Sequence, residues 1–137
     1  MTYLLDTCVL SESRRSQMNP CLKKWLASAP DEALYISVLS LGEIRCGVER
    51  LKDAARRDKL AAWLEHELLA WFENRVLPLD AEVLNRWGFI CANCRTLPVI
   101  DSLLAATALT RRLTIATRNI KDFQGIEGLK IINPWEV

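Results

Sequence analysis

His66 is the only histidine in the chain, and no G-x-S-x-G stretch accompanies it, so a Ser–His–acid hydrolase is unsupported. Glu65 and Glu67 flank it on what reads as a polar helical face, the place of a solvated side chain. The phosphate-cradling loops G-x-x-x-x-G-K-[ST] and G-x-G-x-x-G are missing too, which leaves the common nucleotide-binding folds without their signatures. An excess of one charge is also lacking. The formal net charge is +1, so no global field draws a polyanion, and nucleic-acid contact would have to come from local patches or a bound metal. No apolar run approaches the roughly 18 residues of a membrane span. The opening MTYLLDTCVLSE has an acid at position 6 and no basic start, unlike a secretory leader. The expectation is a cytoplasmic protein with no membrane association.

Paired cysteines are likewise not indicated. The five thiols, Cys8, Cys21, Cys46, Cys91 and Cys94, are odd in number and lie within apolar-periodic segments, as core cysteines do in a reducing compartment. Cys91-Ala-Asn-Cys94 is the single C-x-x-C spacing. A zinc site would need two further ligands, and neither a second pair nor a second histidine supplies them.

What the chain does have is a globular balance. Of 137 residues, 50% are hydrophobic, five are Trp and 26% are charged, which suits one folded domain over residues 1–137. No linker, repeat or low-complexity stretch divides it. Tyr3–Leu5, Leu34–Ile36, Arg75–Leu79, Thr114–Thr117 and Leu129–Ile132 read as short strands, with Pro78 placing the third at an end or edge. Between them lie helical patterns. Asn19-Pro20 caps a helix with Leu22, Trp25, Leu26 and Ala29. Ser37 caps one through Leu51, with a stripe of Val38, Leu41, Ile44 or Arg45, Val48 and Leu51. A longer helix carries Leu60, Trp63, Leu64, Leu68, Trp71 and Phe72. Asp80 caps another through Cys94, and an alanine-rich helix runs from about Ile100 to Arg112. This alternation predicts an α/β domain around a mainly parallel sheet, with its functional edge at the carboxyl ends of the strands.

Acids stand where those strands stop. Asp6 follows the first, Glu43 lies in the second turn of the helix after the second, Asp101 opens the alanine-rich helix, and Asn119 and Asp122 follow the fourth. Each also has an ordinary role: a turn cap, a solvated helix face, an N-terminal acid favoured by the helix dipole. If a parallel sheet gathers them, their repulsion calls for a cation, and hard carboxylate oxygens suit Mg²⁺ or Mn²⁺. Such an ion can activate water against a phosphodiester. Gly42 and Gly47 beside Glu43 each cost roughly 1 kcal/mol in a helix against alanine, which invites a packing or access explanation. The basic clusters Arg14/Arg15, Lys23/Lys24 and Arg56/Arg57/Lys59 read as solvated faces unless one of them lies near the acids.

Four segments together resemble the PIN-domain family. Leu4-Leu5-Asp6-Thr7-Cys8-Val9-Leu10-Ser11-Glu12 is similar to its first motif, and Ser37-Val38-Leu39-Ser40-Leu41-Gly42-Glu43-Ile44-Arg45-Cys46-Gly47 to its second. Val99-Ile100-Asp101-Ser102-Leu103-Leu104-Ala105-Ala106-Thr107-Ala108 resembles the third. Thr117-Arg118-Asn119-Ile120-Lys121-Asp122-Phe123 resembles the fourth, and Ile132-Asn133-Pro134-Trp135 the closing strand and tail. The likeness is to VapC/FitB-like toxins of type II toxin–antitoxin pairs. It implies a three-layer PIN fold and a Mg²⁺-dependent (or Mn²⁺-dependent) ribonuclease with metal-binding Asp6, Glu43 and Asp101. The fourth position falls at Asp122 or Asn119. Thr7 and Thr117 would support the carboxylates, and Arg45 and Arg118 are candidates for RNA phosphate contacts or surface ion pairs. A cognate antitoxin, a homodimer and a higher assembly are implied, with operator DNA engaged only through the antitoxin. Two rivals remain open. One is a PIN-like binding module with little nuclease activity. The other is a phosphate-handling or receiver-like α/β domain, which the positions of Glu43 and Asp101 fit poorly.

Overall fold

The computed structural model describes residues 1–94 and 96–137. Its centre is a five-stranded sheet of β1 (Tyr3–Leu5), β2 (Leu34–Ser37), β3 (Val76–Leu77), β4 (Thr114–Ala116) and β5 (Ile131–Ile132) in the order β3-β2-β1-β4-β5. Every pairing is parallel, so the expected "mainly parallel" sheet is wholly so. The register sets Leu4 opposite both Tyr35 and Ile115. Pro78 follows β3 at the edge of the sheet, where its missing N–H breaks no ladder.

Alternation along the strands divides the core. Leu5, Leu34, Ile36 and Ala116 face one layer, containing Val9, Leu22, Ile44, Val48, Leu68 and Phe72. Leu4 and Ile115 face the other, with Val83, Leu104, Ala105, Ala108 and Phe123. Each fully buried Leu or Phe contributes about 1.5–3 kcal/mol. The first layer is built from α1 (Thr7–Ser13), α2 (Pro20–Ser28), α3 (Val38–Glu49), α4 (Ala54–Ala62) and α5 (Leu69–Trp71); the second from α6 (Ala81–Asn93) and α7 (Val99–Arg111).

Three local readings change. Residues 7–13 form a helix that the sequence pattern did not indicate; it is a short one that buries Val9 and Leu10 and is capped by Asp6. The Leu60–Phe72 helix is one continuous rod, but Trp63–Leu68 is a π turn joining α4 to α5. Val38 is exposed, and the buried face of α3 is Ser40, Ile44 and Val48. The predicted caps stand: Asn19, Ser37 and Asp80 each accept a backbone N–H at the start of their helix. A side chain at Gly42 or Gly47 would meet no neighbouring atom, so close packing does not explain those glycines.

Candidate active site

A parallel sheet sends each strand's carboxyl end to the same edge. A helix that leads into a strand runs back across the sheet, so its first turn reaches that edge too. Asp6 leaves β1 there, Thr117 leaves β4, and α7 begins there, ahead of β4, with Asp101 in its first turn.

Asp6 is buried and held at both oxygens. Oδ1 accepts the Thr7 N–H at 2.7 Å, and Oδ2 accepts the Thr117 hydroxyl at 2.8 Å. Thr117 is fully buried and accepts the Asn119 N–H at 3.0 Å, which fixes the turn after β4. Cys8 Sγ lies 3.8 Å from Asp6 Oδ2. Burial, then the Asp6 charge, push the Cys8 thiol above its ordinary value, so it stays neutral and is no nucleophile.

Glu43 is exposed on α3, yet it is tethered. Thr7 Oγ1 donates to Glu43 Oε1 at 2.6 Å and lies 3.0 Å from the buried Ser40 Oγ. Thr7 therefore orients Glu43 by its hydroxyl and Asp6 by its backbone. Ser40 was not singled out by the sequence. Its signal was a polar residue one turn before Glu43, on the face that α3 buries.

Asp101 is half-buried, and its carboxyl is pushed up to about 6. Desolvation is the main cause, followed by the negative charges of Asp6, Asp122 and Glu43. The other three expected acids therefore all act on Asp101 at one end of the sheet. Asp122 closes the short 3₁₀ turn Ile120–Asp122 behind Asn119. It also lines a cleft of about 630 Å³ with Thr96 and Lys121.

Among the described residues, no three Asp, Glu, His or Cys side chains stand close enough to hold one metal ion together. The expected ligands Asp6, Asp101 and Glu43 share an electric field rather than a common ligand point. Their chemistry still fits a hard cation: the donors are carboxylate oxygens, among the described residues no lysine or arginine pairs with Asp6, Glu43, Asp101 or Asp122, and Mg²⁺ uses one or two carboxylates while keeping several waters. Arg45 is paired with Glu49 at 3.2 Å and with Glu65 at 2.6 Å, which is the ion-pair arrangement, not a free phosphate contact. Arg118 is exposed over the Trp135 ring, 5.6 Å from its centroid.

Comparison with known proteins agrees with this architecture. The PIN domain family model matches residues 3–129. Toxin FitB of Neisseria gonorrhoeae is 35% identical over 96% of this chain and 97% of its own. VapC ribonuclease Y4jK of Sinorhizobium fredii is 32% identical over 97% of each. The crystal structure of FitAcB from Neisseria gonorrhoeae superposes with a TM-score of 0.91 at 34% identity, covering 99% of this chain and 100% of that one. This chain belongs to the PIN-domain family.

Proposed function

We propose that the chain is a Mg²⁺-dependent endoribonuclease and the toxin of a type II toxin–antitoxin pair. The observation that carries this reading is Asp101, pressed by three other carboxylates at the carboxyl edge of the sheet. Such crowding is costly unless a cation or a proton relieves it. Bound there, Mg²⁺ would supply charge neutralisation and an acidified water for attack on a phosphodiester.

The residues divide the remaining work. Asp6, with both oxygens already engaged by Thr7 and Thr117, presents a fixed carboxylate and does not reorganise on binding. Thr7 keeps Glu43 turned toward the same edge. Asp101, desolvated and facing the charges of the other three carboxylates, is where a bound cation would relieve the crowding. Asp6, Glu43 and Asp101 are the candidates from which one or two carboxylates would hold the ion, its waters completing the shell, with Asp122 at the rim. Water attack would leave a 5′-phosphate and a 3′-hydroxyl.

Relatives named as a toxin and as a ribonuclease support the pairing of nuclease with antitoxin. To the antitoxin we assign the cleft of about 590 Å³ between α2 and the Trp63–Trp71 stretch, lined by Met18, Leu26, Trp63 and Trp71. Self-association as a homodimer belongs to the same proposal.

The test is direct. The purified chain should cut single-stranded RNA in Mg²⁺ and not in EDTA, leaving 5′-phosphate ends. Asp6→Asn should slow cutting by at least about a hundredfold, since even outer partners of a metal site cost 10–100-fold. Its expression should no longer arrest growth, whereas the wild type should. Equal toxicity of Asp6→Asn at equal soluble level would remove catalysis as the cause and favour the binding-module reading.

A further inference from the structure

The basic clusters at residues 14–15 and 56–59 are distant in sequence but meet in the fold. Arg14 caps the end of α1, and Arg56 lies in the first turn of α4. With Arg15, Ser16, Lys59 and Leu60 they line one recess of about 360 Å³. Arg14, Arg56 and Leu60 also line an adjoining groove of about 220 Å³ that reaches Thr7 and Glu43. The recess is thus continuous with the carboxylate edge.

Local energetics do not account for this gathering. A cation at the end of α1 is favoured by the helix dipole, but Arg56 sits at the positive, N-terminal end of α4, where the dipole opposes it. Arg14 is held below its ordinary pKa by burial and by the charges of Arg56 and Arg15. Among the described residues, Arg14, Arg56 and Lys59 form no ion pair, and only Arg15 has a carboxylate partner, Glu12 at 3.2 Å. Like charges brought together without a counter-ion suit a polyanion.

We infer that the Arg14–Arg56–Lys59 recess binds phosphates of the RNA strand flanking the scissile bond, with the Thr7–Glu43 groove carrying the strand between the two. This rests on the nuclease reading above. It also answers a difficulty within it: four carboxylates repel a polyanion, and a net charge of +1 offers no global attraction. A local row of cations beside the acids supplies what both lack. Repeating phosphates can meet the cations in turn, and guanidinium forks suit their oxygens.

The experiment is fluorescence anisotropy of a labelled single-stranded RNA in EDTA, read as log affinity against log salt, for wild type, Arg14→Gln/Arg56→Gln and Arg14→Lys/Arg56→Lys. Each phosphate contact to a single strand contributes about 0.7 to the slope. The glutamine pair should therefore flatten it by about 1.4, making the loss of affinity from about 50 to about 200 mM salt about sevenfold smaller. The lysine pair should restore most of the slope. Thermal melting should not fall below that of the wild type in either pair, since the side chains changed are exposed. An unchanged slope in the glutamine pair, while the wild type binds and cuts RNA, overturns this inference and leaves the nuclease reading standing. A wild type that neither binds nor cuts RNA overturns both. Loss of polyglutamate binding with the RNA slope intact overturns it in favour of an acidic protein segment.

Discussion

A carboxyl in the first turn of a helix is ordinarily stabilised as the anion, yet Asp101, third in α7, is pushed from 3.8 to about 6. The native state then holds a proton that the unfolded chain releases. Between about pH 4 and 6 it binds more protons than the unfolded state, and stability falls as pH rises through that window. The stabilisation is fully present below 3.8 and gone above about 6. Undiscounted, the shift corresponds to about 3 kcal/mol; Asp101 is half-exposed, so solvent screening reduces it to about 1 kcal/mol. Asp101→Asn should therefore raise the Tm in EDTA by about 3 °C at pH 7 and by nothing at pH 4. Calorimetry finding equal melting at pH 7 would remove the crowding from the account of the site. The gathering of Asp6, Glu43, Asp101 and Asp122 at one edge was legible in the sequence because each follows a predicted strand or lies in the first two turns of a helix. The Thr7 bridge to Glu43, the pairing of Arg45 with Glu65 and the meeting of Arg14 with Arg56 were not, because side-chain partners across 20 to 42 residues of chain are a product of packing.

Local chemistry carries further at the scale of elements. Ser37, Asn19 and Asp80 were readable as caps because a cap satisfies backbone donors two or three residues away. Helix α1 was not: at seven residues it is too short to show a period, and its cap is Asp6. The π turn at Trp63–Leu68 escaped as well, since it keeps Leu64, Leu68 and Phe72 buried, the residues that a plain helix would bury. Asp80 joins two elements. One oxygen caps α6 through the Val83 N–H at 3.0 Å, and the other pairs with Arg111 at the end of α7, the helix that carries Asp101. Trp87 Nε1 donates across the same interface to Ser102 Oγ at 2.8 Å. Asp80→Ala should cost about 1–2 kcal/mol, mostly from the lost cap. Asp80→Asn keeps a capping oxygen and loses only a part-exposed ion pair, so it should cost under about 1 kcal/mol. Urea midpoints at unchanged m separate the two. Equal loss in both variants would assign the stability to the Arg111 pair instead.

For the whole molecule, alternation of strand and helix carried the fold class, because parallel strands require crossovers and crossovers require helices on the sheet's faces. Strand order was less visible: β1 lies at the centre with β2 on one side and β4 on the other, and no local pattern encodes which strands become neighbours. That topology nonetheless makes the site, since it brings the ends of β1, β2 and β4 to one edge and their acids with them. The same arrangement leaves negative charge at the edge and the Arg14–Arg56 cations beside it, although the chain as a whole is nearly neutral. A divalent cation bound at that edge should therefore stabilise the native state alone, since the unfolded chain disperses the acids. By mass action, Mg²⁺ at a hundred times its dissociation constant would add about 2.7 kcal/mol, a rise in Tm of about 8–10 °C for a domain of this size. Asp6→Asn and Asp101→Asn should each reduce the rise, and Asp122→Asn should reduce it least, since that acid lies exposed at the rim. Asp101→Asn separates the two sources of relief, because it should start from a higher Tm in EDTA and gain less from the ion. If Mg²⁺ raised all four melting temperatures by the same amount, the ion would be binding elsewhere, and the crowded edge would be relieved by protons alone.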